Sequence, residues 1–342
     1  MPAIIASAPA KLILCGEHAV VYGRPAIALP LASIRAYARI APSQLRSGVV
    51  VVAHDLRQRW ALGDDISNPL NELIASTLAR LGCAPPFPDI RVAITSGIPI
   101  ASGMGSGAAV ATALVRALAE QQRRQLAPAE VSALVYASER RFHGTPSGID
   151  NTVVAYEQPI WFQRARAEHP AAHAGTPDAR PSAGPSATPL IEPIAIAAPF
   201  TLLIGDTGVR SATHAPVGEV RRRWQADPPR YEALFDEVGA LVAAARGCLA
   251  GGQIAALGAL LSQNHALLQQ IGVSSPELDA LVAAALNAGA LGAKLSGAGW
   301  GGVMLALADT QHKAAVAQAL RAAGACRVIE TTVEAHSGAA AV

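Results

Sequence analysis

Charge of either sign is scarce in this chain. Lys and Arg number 27 and Asp and Glu 25 among 342 residues, a formal net charge of +2. That near-balance gives no basic footprint for nucleic acid and none for an anionic membrane surface. The four cysteines, Cys15, Cys83, Cys248 and Cys326, are scattered and form no Cys-x-x-Cys pair. They read as reduced thiols of a cytoplasmic protein. No window of about 18 strongly apolar residues runs without polar interruption, so no transmembrane helix is expected. The opening Met1 to Ala10 lacks a basic start and is broken by Pro2 and Pro9, and it does not read as a signal peptide.

What is present in quantity is apolar: 51% hydrophobic against 15% charged residues, the balance of a well-packed globule. Much of it is alanine, which favours helix but buries little area per residue. A chain of this length exceeds one ordinary core, so two domains are expected. One composition break stands out, at 166–189, rich in Pro, Ala, Ser and Gly and free of large aliphatics. It reads as a flexible linker or loop between an N-terminal domain at 1–165 and a C-terminal domain at 190–342. No internal repeat of solenoid period is found.

Before the break, apolar runs at 4–5, 26–38, 48–53 and 90–95 predict strands. A helix is predicted over 106–122, with Val110, Leu114 and Leu118 at i+4 spacing. A second starts at Pro128 and turns Val131, Leu134, Val135 and Phe142 inward. Glu139 lies at the edge of that apolar stripe, where an unpaired carboxylate is costly. After the break, strands are predicted at 200–204, 303–307 and 327–333. Helices are predicted at 216–225, 229–247, 252–270, 276–288 and 311–323. The mixture is α+β.

Three glycine-bearing stretches and a few ionisable residues carry the chemistry. Ser102-Gly103-Met104-Gly105-Ser106-Gly107-Ala108-Ala109 opens the 106–122 helix. Glycines let the backbone approach an anion, and a helix N-terminus offers free N–H groups and a favourable dipole. No Gly-Lys-Ser/Thr follows, so this is not the common P-loop. It matches the Gly-x-Gly-x-x-Ala turn of dinucleotide-binding oxidoreductases, but the next acid, Glu120, falls on the helix itself. A plain structural turn is the other reading.

Lys294-Leu295-Ser296-Gly297-Ala298-Gly299-Trp300-Gly301-Gly302 holds more glycines than a tight turn needs and reads as a second surface approaching substrate or phosphate. The stretch His143-Gly144-Thr145-Pro146-Ser147-Gly148-Ile149-Asp150-Asn151 sets Asp150 on a Gly/Pro-shaped loop, 11 residues after Glu139. Asp150 is either a turn residue or a carboxylate aimed at a substrate hydroxyl, and Glu139 could hold Mg²⁺. Lys11, isolated among apolar residues, either snorkels or neutralises charge developing on a phosphate. His18 alone reads as a structural histidine. Arg221-Arg222-Arg223 reads as a solvated helix face.

Taken in order, these motifs resemble the GHMP kinases. Ala8-Pro9-Ala10-Lys11 through Gly16-Glu17-His18-Ala19-Val20-Val21-Tyr22-Gly23 is similar to the family's first motif, GMGSGAA to its ATP-binding loop and SGAGWGG to its third motif. His143–Asn151 and Gln263-Asn264-His265 look like the branch acting on mevalonate more than those acting on galactose or homoserine. The likeness spans most of the chain outside 166–189.

It implies a two-domain α+β fold, the first domain like ribosomal protein S5 domain 2 and the second ferredoxin-like, with the site between them. It implies transfer of the ATP γ-phosphate to the C5 hydroxyl of mevalonate with Mg²⁺. Phosphomevalonate kinase and diphosphomevalonate decarboxylase types are the alternatives within the family. By resemblance Asp150 is the base and Lys11 its partner. Ser102, Gly103, Met104, Gly105, Ser106, Gly107 and Ala108 bind ATP, and Ser106 and Glu139 bind the metal. Glu17, His18, Thr207 and Arg210 line the substrate pocket. Similar enzymes include homodimers. Two positions depart from the pattern: Gly107 stands where a second serine is usual, and Trp300 where glycine is usual.

Overall fold

The computed structural model describes residues 3–64, 68–99, 102–143, 147–164, 189–211 and 214–338. Residues 144–146 of the Asp150 stretch, the side chain of Phe142, and 166–188 of the expected linker lie outside the described residues.

The first half is built around two long strands, β1 (Ile4–Cys15) and β2 (Pro25–Pro42), paired antiparallel. From Ala8 onward β1 is buried on every residue, so no alternation marks it in the sequence. Its register with β2 shifts between Pro9 and Ala10 and again between Ile13 and Cys15. Such irregularities re-aim side chains, and Lys11 stands between them. Lys11 thus lies inside a strand that runs well beyond the predicted 4–5.

Besides a 3₁₀ turn at Ala19–Tyr22, the remaining elements of this half are β3 (Val49–Ala53), β4 (Gln58–Ala61), α1 (Pro69–Arg80), β5 (Ile90–Ser96), α2 (Ser106–Gln121), α3 (Pro128–His143), α4 (Ile149–Tyr156), β6 (Ile160–Gln163) and β7 (Leu190–Pro193). The sheet runs β4-β3-β5-β2-β6-β7, with β1 also against β2, and only the β3–β5 pair is parallel. The doubly wound parallel sheet behind a dinucleotide-binding turn is therefore not formed. The helix α2 lies on β1 and β2, and its Ala108, Ala109, Ala111, Ala113 and Ala117 are buried. Small side chains let it sit close to the sheet, and Leu114 and Leu118 fill the deeper space.

Two helices were not anticipated. The Asn68 side chain caps α1 by accepting from Leu70 N–H, with Pro69 at the first turn. Gly148, with φ 88°, leads the chain into α4, and Ile149, Val153 and Val154 bury its inner face. Asp150 is therefore in the first turn of a short helix rather than on a loop.

The second half contains β8 (Ala195–Ile196), β9 (Phe200–Asp206), α5 (His214–Ala226), α6 (Pro228–Ala250), α7 (Ile254–Ile271), α8 (Pro276–Asn287), β10 (Gly292–Ser296), β11 (Val303–Ala308), α9 (Lys313–Ala322), β12 (Arg327–Val333) and β13 (His336–Ser337). Four strands form an antiparallel sheet in the order β10-β11-β9-β12. A close fit of α7 to β10 is set by glycine: a Cβ at Gly292 would meet Gly258 O at 1.9 Å. The helix α6 bridges to the first half, packing on β2. Ser33 of β2 and Thr331 of β12 share a hydroxyl contact of 3.3 Å.

Candidate active site

The site begins at Lys11. Its N–H donates to Met104 O (3.0 Å), and its Nζ stands 2.9 Å from Asp150 Oδ1. The lysine stem lies across Gly105, where a Cβ would meet Lys11 Cγ at 2.7 Å. Gly105 is also left-handed (φ 71°), so both space and backbone require glycine there. Lys11 is buried, whereas the Asp150 side chain keeps 33% of its surface open. Glu139, on α3 against α4, has its carboxyl pushed up to about 8. Burial is the main cause, the negative charge of Asp150 adds to it, and Lys11 opposes.

Beside this pair runs the loop 102–108. Ser102 donates from Oγ to Pro99 O (2.8 Å), Gly103 and Gly105 are both left-handed, and Met104 is buried as the loop's anchor. Ser106, Gly107 and Ala108 form the first turn of α2, where backbone N–H groups have no partner within the helix. Ser106 is half-buried; Gly107 is exposed, and a Cβ added there would meet nothing within 4 Å.

The opposite wall is the loop 297–302 after β10. A Cβ at Gly302 would stand 3.0 Å from Ser102 O, and one at Gly103 3.7 Å from Ser296 O, so the two glycine loops touch. Ser296 Oγ donates to Ile13 O (2.8 Å). His18 Nε2 donates to Ala298 O at 2.9 Å. Burial drives the His18 imidazole down to about 4, with the charge of Lys294 adding to the effect and the bond to Ala298 opposing it. His18 is thus neutral at physiological pH. Glu17 and Lys294 form a sealed ion pair, and Lys294 also donates to Leu295 O. The turn carrying Glu17 and His18 is held from behind: Arg24 donates to Asp236 (2.9 Å) and pairs with Glu232 on α6, and Tyr22 stacks on Phe235 at 4.2 Å.

Thr207 donates from both N and Oγ1 to Gly302 O (2.9 Å each), which places it on the third loop. Arg210 is engaged differently. Its guanidinium chelates Asp206 at 2.8 and 3.0 Å, and these bonds hold the Asp206 carboxyl low despite its burial. Lys11, Asp150, Glu139, the 102–108 loop, Glu17, His18 and Thr207 therefore belong to one connected set, and Arg210 joins it only through Asp206. The arginine run 221–223 is a partly solvated face: Arg222 and Arg223 both pair with Glu219.

One group of this set was not singled out from the sequence, and another was named without a role. Lys294 was read as the start of a glycine loop, although a lysine inside the apolar run Leu291–Leu295 was the available signal. His265, quoted within Gln263-Asn264-His265 for the resemblance but given no role, accepts from Leu295 N–H and donates to Asp279, and so fixes β10 from α7.

Comparison with known proteins places this set. The GHMP kinases N terminal domain matches residues 70–158 and the GHMP kinases C terminal domain residues 229–326. The chain belongs to the GHMP kinases and is a small-molecule kinase of that two-domain fold. The mevalonate kinase of Pyrococcus abyssi is 32% identical over 350 residues, covering 95% of this chain and 94% of the relative. That of Pyrococcus furiosus is 33% identical over 351 residues, covering 95% of each. The crystal structure of L. major mevalonate kinase in complex with R-mevalonate superposes with a TM-score of 0.77 at 29% identity, covering 98% of this chain and 97% of that one.

Proposed function

We propose that this chain transfers the γ-phosphate of ATP to the C5 hydroxyl of mevalonate. The observation that carries the reading is the contact between Lys11 and the open carboxylate of Asp150, set against the glycine loop that opens α2. Phosphoryl transfer asks a protein mainly to align a hydroxyl with the terminal phosphorus and to balance charge. Asp150 accepts the hydroxyl proton, and Lys11 offsets the negative charge gathering on the oxygen. The 102–108 loop cradles the ATP phosphates with its glycine backbone and the free N–H groups of α2. Neutral His18 and Thr207 bound the space for the acceptor, Glu17 acts behind them through its sealed pair with Lys294, and Arg210 sits at its margin.

The donor set fits Mg²⁺. The Glu139 carboxyl is raised by burial first and by the charge of Asp150 second, and a cation there would favour the ionised form of both. Ser106 adds a hard oxygen. Mg²⁺ commonly takes only one or two protein carboxylates and completes its shell with substrate phosphates and water, which this small donor set would allow. When bound, Mg²⁺ supplies charge neutralisation on those phosphates.

Support for mevalonate as acceptor comes from relatives at about a third identity across nearly the whole chain. ADP release measured against mevalonate, phosphomevalonate, diphosphomevalonate, galactose and homoserine tests the assignment. The highest kcat/KM is expected with mevalonate, and a clear preference for any other acceptor overturns it. Among the described residues no helix is long and apolar enough to cross a membrane.

A further inference from the structure

Among the described residues six non-glycines have left-handed φ: His18, Arg46, Arg57, Arg123, Glu157 and Trp300. Four of them are exposed. The two that are not, His18 and Trp300, meet on the 297–302 loop. A bulky residue at φ 57° is disfavoured and persists only where its surroundings over-determine it. For Trp300 they do. Its backbone N–H donates to Val273 O (2.9 Å) and its indole Nε1–H to Gly272 O (3.0 Å), both in the turn between α7 and α8. One residue earlier, a Cβ at Gly299 would meet Val273 O at 2.0 Å, so the loop backbone lies directly on that turn. Two residues to either side of Trp300 are the carbonyls that matter: Ala298 O, which accepts from His18, and Gly302 O, which accepts from Thr207.

We propose that Trp300 is a positioning residue, whose indole pins the third glycine loop to the α7–α8 turn and so fixes the two carbonyls that orient His18 and Thr207. A glycine at this position relaxes the backbone but leaves the loop free to sample more conformations. The consequence for catalysis rests on the reading of His18 and Thr207 as acceptor-binding residues. The pinning itself does not.

The experiment compares wild type with Trp300→Gly and Trp300→Phe in two measurements. Amide hydrogen exchange over 297–302 without ligands is expected to quicken about tenfold in Trp300→Gly, with Trp300→Phe intermediate. Steady-state kinetics should show KM for mevalonate raised about tenfold, with kcat and KM for ATP changed less than about threefold. Unchanged exchange overturns the pinning. Faster exchange with an unchanged KM for mevalonate overturns the positioning role and leaves Trp300 purely structural. If Trp300→Gly does not fold, Trp300→Phe decides between the same outcomes. If wild type does not phosphorylate mevalonate, the functional reading fails and the positioning role with it, while hydrogen exchange still decides the pinning.

Discussion

Lys11 and Lys294 are both buried and both face a carboxylate, but Asp150 keeps 33% of its side chain open while Glu17 keeps 1%. An open carboxylate can exchange its lysine for an incoming hydroxyl at little desolvation cost. A sealed one cannot, because removing its partner leaves an unpaired charge in a dry environment. The same residue types thus serve two ends. One pair is poised for chemistry, and the other locks the turn at 16–18, from the first half, to β10 of the second. The sealed pair also fixes where the open pair can act, since the loop after β10 touches the 102–108 loop that the Lys11 stem supports.

The sharpest way to break this contrast is Asp150→Asn. Turnover at saturating substrates should fall by about 10²–10⁴, the usual worth of a positioned acid–base group. The thermal shift produced by ATP should persist, because the glycine loop is untouched. Near-normal ADP release from this variant would remove the open pair from the chemistry.

Lys294→Met addresses the other member. It strands Glu17 in the interior, and an uncompensated buried charge costs about 3–5 kcal/mol. A large loss in the denaturation midpoint is expected, with most of it recovered in Glu17→Gln/Lys294→Met, where no charge remains. A single variant as stable as wild type would mean that water reaches Glu17 and that the two pairs do not differ as described.

Glu139 sharpens the electrostatic side of the comparison. Its carboxyl titrates at about 8 in the folded chain against 4.5 for the free group. Between those values the folded state holds a proton that the unfolded state has released, so this group's contribution to stability falls as pH rises through the window. His18, lowered from 6.5 to about 4, works the other way at the acid end: stability falls as pH drops from about 6.5 to about 4. The difference between wild type and Glu139→Gln isolates the glutamate. Without nucleotide or metal, wild type should lose stability relative to the variant between about pH 5 and pH 8. A flat difference in denaturation midpoint across that range would show Glu139 ionised and well solvated. In assays, Glu139→Gln should need more Mg²⁺ for half-maximal rate.

The parts of this molecule legible in the sequence were those written locally. The extent of α2 follows from the i+4 spacing of Val110, Leu114 and Leu118, and the start of α3 from Pro128. The strand β1 was seen only in fragments, because burial on both faces erases alternation. The helix α4 was hidden by the glycine and proline before it, which punctuate a loop as readily as they start a helix. Of the site, Lys11, Asp150 and Glu139 were legible through motif order. The Glu17–Lys294 lock was not: its members are 277 positions apart, and nothing local to either names the other.

The smallest effect is expected at Gly107, the exposed glycine in the first turn of α2. A Cβ there meets nothing within 4 Å, and the residue has no left-handed φ that would require glycine. Gly107→Ser should therefore be accommodated, with a stability gain of a few tenths of a kcal/mol from the helix propensity of serine over glycine. The new hydroxyl would lie one residue from Ser106, on the side of the loop assigned to phosphate and metal. If Glu139 and Ser106 already satisfy Mg²⁺, the Mg²⁺ concentration for half-maximal rate should fall by no more than about threefold, less than 1 kcal/mol. A tenfold or larger fall would show that the open pair works in a metal site short of one ligand. A drop of several degrees in melting temperature would mean that the space beside Gly107 is already taken.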